Sequence, residues 1–310
     1  MLRFTDAEST LVGATLKLKP WACSGLMLRL TGTSQSGQTP TDASFGYFSV
    51  IRQGVQIARV KMSHLGAQND RDYGYVLRSY GSGAAFDATF VLPFRNPHDK
   101  TDRNIVQFTN DDYIELDALS ATVFASCAWT LYSEVNPGST LYVPKQITRS
   151  VTLSAEKPVY LPDANLMRLL LAQPSTAPTK LLLERDGILV MDVPYAVAEI
   201  DTDRTHNVES AGGDYSLLEL GDYLSVRGDR YALQAVGGAG DLAYTTTAVE
   251  YTAGIPVEFA HRYDYTNVAA VQVKSGGDIA AQNAIAVTPG RAVHPVNPRP
   301  NQPPTRTTDW

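Results

Sequence analysis

The chain has 310 residues, 44% of them hydrophobic and 19% charged, the balance of a folded protein rather than a disordered one. Its net charge of −6 and its lack of any Lys/Arg-rich run exclude a dedicated nucleic-acid binder with a basic stripe. No stretch reaches the roughly 18–20 apolar residues of a membrane-spanning helix. The opening MLRFTDAEST lacks the apolar core of a secretory signal, which predicts folding in the cytoplasm where the chain is made.

Strand signals dominate from the start. Thr15–Lys19 (TLKLK) and Leu26–Leu30 (LMLRL) alternate, as half-buried strands do. Phe48–Val60 (FSVIRQGVQIARV) reads as two short strands around a turn at Gln53-Gly54. Phe86–Leu92 alternates and stops at Pro93; Tyr113–Leu116 is short; Ala121–Tyr132 is long and rich in β-branched and aromatic residues. Between them lie the turn formers TSQSGQTPTD, GSG, RNPHD and NPGS. Asn136–Ser150 reads as a linker. Further strands are expected at Val151–Leu153, Leu166–Ala172, Lys180–Glu184, Ile188–Val193, Val197–Asp201, Leu224–Val226, Tyr231–Val236 and Tyr244–Tyr251. Short helices are expected only at Tyr215–Leu220 and near Asp72–Tyr80. Many short strands with regular turn signals point to sandwiches or barrels.

The pattern repeats. LLLERDGILVMDV at Leu181–Val193 superimposes on Phe48–Val60 without a gap, so that Arg52 meets Arg185, Gly54 meets Gly187, Ile57 meets Val190 and Val60 meets Val193. Upstream, TLKLKP resembles TLSAEKP at Thr152–Pro158, and LMLRL resembles LMRLLL at Leu166–Leu171. Each half closes on a long strand ending in an aromatic, AWTLY at Ala128–Tyr132 and TTAVEY at Thr246–Tyr251. The chain is therefore expected to divide into a first sandwich at residues 1–140, a second at 141–260, and a C-terminal extension at 261–310. From Ala284 onward proline is dense and apolar periodicity is absent, the composition of an extended arm without a core of its own.

Chemistry-bearing residues form no recognised constellation. His64, His98, His206, His261 and His294 show no metal-ligand spacing and read as surface or loop histidines. The acidic pairs Asp70/Asp72, Asp111/Asp112 and Asp201/Asp203 match no full calcium loop and read as solvated loop acids. Cys23 and Cys127 sit in apolar runs and read as buried free thiols. Gly81–Phe86 is no phosphate loop, and Arg227-Gly228-Asp229 reads as a strand-connecting turn. Tyr73, Tyr75, Tyr80, Tyr195, Tyr263 and Tyr265 lie near loops, where a ring with one polar tip suits an interface as well as a sandwich edge. Tyr113 and Trp129 could form a sugar platform but sit in core-like runs.

Taken with the hairpins Phe48–Val60 and Leu181–Val193, this order of elements over residues 12–255 resembles the double jelly-roll major capsid proteins of tailless icosahedral bacteriophages, many of which enclose a lipid membrane. The resemblance implies an all-β chain of two tandem jelly rolls with a Pro-rich arm, and a virion structural protein with no catalytic residue, metal or cofactor. It also implies a homotrimer of pseudo-hexagonal outline that meets neighbouring capsomers and penton proteins in an icosahedral shell. For that assembly Pro289, Pro295, Pro298, Pro300 and Trp310 are the expected arm residues, a terminal Trp being a natural anchor for a neighbour's pocket. Two other readings stay open: a phage spike or receptor-binding protein, and a carbohydrate-binding or carbohydrate-active jelly roll.

Overall fold

The computed structural model describes residues 1–73, 78–81, 83–99, 102–117, 119–152, 158–163, 165–172, 176, 178–195, 215–220, 230–237 and 241–251. The Pro-rich arm lies outside these residues. So do the expected strands at Val197–Asp201 and Leu224–Val226 and the Arg227-Gly228-Asp229 turn. One compact unit, Met1–Gly221 with Asp229–Glu250, holds every described residue but Tyr251.

Strands β1 (Leu2–Ser9), β2 (Ala14–Lys17), β3 (Ala22–Ser34), β4 (Tyr47–Arg52) and β5 (Val55–Lys61) come first. Helix α1 (Met62–Tyr73) follows, then β6 (Arg78–Ser79), β7 (Ala85–Pro93), β8 (Val106–Gln107), β9 (Tyr113–Leu116) and β10 (Phe124–Val135). One sheet runs β1-β10-β3-β7-β6, with β8 also paired to β3; the facing strands run β2-β9-β4-β5. Inward residues alternate along each strand, and those of β3 (Leu26, Leu28, Leu30) and β10 (Cys127, Trp129, Leu131) are buried in one core. Phe45 sits at its centre, with ring centroids 5.0 Å from Phe124 and 5.9 Å from both Phe86 and Phe90.

The second half runs β11 (Tyr142–Thr152), β12 (Val159–Tyr160), β13 (Leu166–Ala172), β14 (Lys180–Arg185), β15 (Ile188–Pro194), β16 (Tyr215–Glu219), β17 (Tyr231–Val236) and β18 (Asp241–Tyr251). Its sheets are β11-β18-β13-β16 and β12-β17-β14-β15. This is the strand order of the first half: β1, β10, β3 and β7 correspond to β11, β18, β13 and β16, and β2, β9, β4 and β5 to β12, β17, β14 and β15. A separate core of Leu166, Leu169, Leu171, Leu181, Leu183, Leu233 and Tyr244 fills it. The chain is thus all-β, two tandem jelly rolls.

The repeated hairpins match in fine detail. Both turns place two residues in the left-handed region, Gln53 and Gly54 at φ 51° and 75°, Asp186 and Gly187 at φ 51° and 78°. That is the type I′ geometry, whose twist suits a two-residue hairpin loop. Each hairpin then slips by one residue. Arg52 pairs Val55, Ile51 pairs Gln56 and Val50 pairs Ala58, which leaves Ile57 bulged. Arg185 pairs Ile188, Glu184 pairs Leu189 and Leu183 pairs Met191, which leaves Val190 bulged. Ile57 and Val190 are the residues that the sequence repeat superimposes.

Several expectations are corrected. The linker read at Asn136–Ser150 is mostly strand β11, which pairs in parallel with β5 through Gln146↔Ala58 and Ile147↔Arg59. Tyr215–Leu220 is not helical: Tyr215–Glu219 is β16, held by its pairing along β13, so tertiary context overrides local propensity. The main helix is Met62–Tyr73 rather than Asp72–Tyr80. Its apolar period is masked because Ser63, His64, Gln68, Asn69 and Arg71 are buried alongside Leu65. The match of TLKLKP with TLSAEKP also fails, since β2 corresponds to β12, beginning at Val159, and Thr152 ends β11.

Candidate functional site

The richest polar chemistry among the described residues lies in the seam between the two sandwiches. Helix α1, inserted between β5 and β7, lies against the outer face of β13, β16 and β18. Strand β13 reads LMRLLLA and is buried on both faces because α1 covers the second one. His64 Nδ1 lies 2.7 Å from Thr245 Oγ1, and that hydroxyl lies 2.7 Å from Thr148 Oγ1 on β11. The His64 ring meets Tyr215 edge-on at 5.3 Å. Arg71 donates to the Tyr215 carbonyl at 2.9 Å. Burial, with the Lys61 charge adding to it, lowers the His64 pKa to about 4, so the ring is neutral at pH 7.

At the end of α1, Asp72 receives both terminal guanidinium nitrogens of Arg168, at 2.8 and 2.5 Å. Arg168 Nε donates to Glu219 at 2.8 Å, and His98 Nε2 stands 3.1 Å from Asp72. The Asp72 and Arg168 side chains are only 1% and 3% exposed. Burial pushes the Asp72 carboxyl up, but Arg168 and His98 more than offset this and hold it below the usual carboxylate range. Burial raises Glu219, with Arg168 pulling back and the Asp72 charge adding to the rise. A fork-on-carboxylate contact of this kind fixes orientation, and it joins α1 of the first sandwich to two strands of the second.

The other singled-out residues are structural in their contacts. Asp70 is on α1, not in a loop, and pairs with Arg78, which also binds Asp42. Asp42 accepts from Tyr80 at 2.5 Å. Asp112 is buried and accepts from the backbone of Gln53 and Thr109, both at 2.7 Å, which locks the first hairpin turn. Asp111 is exposed beside it. Cys23 and Cys127 are free and buried, as expected, and burial raises them to about 11 and 12. Trp129 is core, its Nε1 donating to the Thr10 carbonyl at 3.0 Å; Tyr113 is half-buried on β9 and Tyr195 is buried. No group of three or more His, Cys, Asp or Glu among the described residues could hold a metal ion. No helix among the described residues is long and apolar enough to cross a membrane.

Pro289, Pro295, Pro298, Pro300 and Trp310 lie outside the described residues, as do Tyr75, Asp201, Asp203, His206, His261, Tyr263, Tyr265 and His294. The seam was missed from sequence because Asp72 and Arg168 stand 96 positions apart. The available signal was the arginine interrupting LMRLLL, a charge in an otherwise core-like run.

No protein-family model matches the sequence, and no curated protein does. Solved structures are similar in fold. The major capsid protein of Sulfolobus turreted icosahedral virus superimposes at a TM-score of 0.58 with 14% identity, covering 80% of this chain and 95% of that one. The major capsid protein of bacteriophage PM2 does so at 0.57 with 13% identity, covering 82% and 99%. A PBCV-1 virus capsid structure reaches 0.50 with 8% identity, covering 82% and 95%. With two sandwiches that share one order of eight strands, the first adding the short β6 and β8, this chain therefore has the double jelly-roll fold of those major capsid proteins.

Proposed function

We propose that this protein is a virion structural protein, the major capsid protein of an icosahedral virus, most plainly a bacteriophage. One observation carries the reading: both sandwiches share one strand order, down to the same turn and bulge, in a fold found end to end in viral major capsid proteins. Duplication has a physical use in such a shell. Three chains supply six similar sandwiches, so a homotrimer presents a nearly hexagonal outline and tiles a curved lattice. Its partners are neighbouring capsomers and penton proteins, and its work is done by complementary surfaces rather than by a catalytic group.

The chain divides in this reading into sandwiches at residues 1–140 and 141–260 and an extension at 261–310. The arm from Ala284 to Trp310, with Pro289, Pro295, Pro298 and Pro300, ties one capsomer to the next, and Trp310 anchors it. Negative-stain imaging of the full chain tests the reading: hexagonal particles, sheets or shells are expected. Deleting residues 284–310 leaves single capsomers folded and abolishes shells. Undiminished shells from the truncated chain would remove the arm's role.

A further inference from the structure

His64, Gln68 and Asp72 follow one another at four-residue intervals along α1 and so share one face of the helix. The first and last are tied to the second sandwich. His64 Nδ1 lies 2.7 Å from Thr245 Oγ1, and Asp72 holds the Arg168 guanidinium. Gln68, between them, is 2% exposed, and its Nε2 has no hydrogen-bond partner among the described residues. The next residue shows how a buried amide on this helix is otherwise satisfied: Asn69 both donates to and accepts from the backbone of Val91, at 2.7 Å each way.

The opposite wall has a matching orphan. Thr245 and Thr247 stand two apart on β18 and share one of its faces. Thr245 bonds with His64 and Thr148, while Thr247 is paired in register with Arg168, the partner of Asp72. Thr247 therefore lies between the same two ties as Gln68. It is 1% exposed, and its Oγ1 is likewise without a partner among the described residues. The bonds Thr148–Thr245 and Thr152–Asp241 set a register between β11 and β18 that brings the buried Gln146 beside Thr247.

Two unpartnered polar atoms on facing walls of one buried seam make a site for a small polar ligand, because a buried donor or hydroxyl left without a partner keeps its full desolvation cost. Turning the Gln68 amide over exchanges a donor for an acceptor and leaves the need unchanged. Charge fixes the class of ligand. Arg168, which borders the site, already meets two carboxylates, Asp72 and Glu219, and His64 is neutral at pH 7. An ion would enter without a counter-charge of its own, whereas water gives and takes hydrogen bonds in any combination.

We infer that a single water molecule is bound at the middle of the seam, accepting from Gln68 Nε2 and hydrogen-bonded to Thr247 Oγ1, with the Gln146 amide as a third partner. It completes a row of three links between α1 and the second sandwich: His64 to Thr245, Gln68 through water to Thr247, and Asp72 to Arg168. Its work is to hold the helix at one register on β18 and β13 along its whole length. The inference concerns the seam alone and does not rest on the capsid reading.

A density map of the full chain, by crystallography or single-particle imaging at a resolution that shows ordered waters, tests it directly. A water-sized peak about 3 Å from both Gln68 Nε2 and Thr247 Oγ1 is expected. The peak should persist in Thr247→Ser, which keeps the hydroxyl, and vanish in Thr247→Val, which keeps the shape. A direct bond between the two side chains, no density between them, a peak that refines as an ion, or one that survives Thr247→Val would overturn the inference. Urea titrations of Thr247→Val, Gln68→Leu and the two together give an independent reading. Each single change strands the group opposite and should raise the unfolding constant roughly tenfold, whereas the double should be no worse than the more harmful single. Single effects that multiply in the double would show that the two groups share no ligand, and would overturn it as well.

Discussion

Removing Arg168 is the sharpest perturbation of the seam. Asp72 is almost fully enclosed, and Arg168 supplies two of its hydrogen bonds and its main counter-charge. Arg168→Leu would leave the Asp72 carboxylate buried, with His98 Nε2 3.1 Å away. Breaking a buried pair by deleting one partner costs about 3–5 kcal/mol, whereas replacing both partners with apolar groups is often near neutral. A domain's whole stability is about 5–15 kcal/mol, so the single change should be plain in a urea titration at pH 7 and fixed protein concentration. Arg168→Leu should lower the unfolding free energy by about 3 kcal/mol or more, and Asp72→Leu/Arg168→Leu should recover at least about 2 kcal/mol of that. A single-variant loss below about 1 kcal/mol, or a double variant as weak as the single, would refute the reasoning.

Three further outcomes are expected. His64 is neutral in the fold down to about pH 4, while an unfolded histidine takes up its proton near 6.5, so stability should fall as pH drops through that window, by on the order of 3 kcal/mol; His64→Gln should flatten the slope, and an unchanged slope would reject the assignment. Gly54→Ala and Gly187→Ala should each cost about 1–2 kcal/mol through left-handed backbone strain alone, since an added Cβ meets nothing within 4 Å at either site; thermal melts check this. Cys23 and Cys127 should resist thiol reagents at pH 8 until urea is added, because both are buried and raised to about 11 and 12; rapid labelling of the native chain would contradict that.

What the sequence made legible was local. A type I′ turn and its flanking strands are written in a few adjacent residues, so both hairpins, and through them the duplication, could be read directly. Long alternating strands such as β3 and β10 announce themselves for the same reason. The elements that failed depend on distant partners. Helix α1 buries polar residues against a second sandwich, so its pattern does not look amphipathic. β16 contains YSLLE, which is helix-compatible in isolation and becomes a strand only along β13. The supposed linker is a strand because β18 lies on one side of it and β5 on the other. The Asp72–Arg168 contact likewise exists only once two sandwiches are packed, and no spacing rule reports it.

Under the proposed function this chain would be a shell subunit that assembles with copies of itself. The mass of the purified full-length protein in solution, measured by light scattering across a range of concentrations, tests that most directly. The account predicts a discrete species of three times 33.7 kDa, or larger assemblies built from it. A single 33.7 kDa chain at every concentration would contradict it.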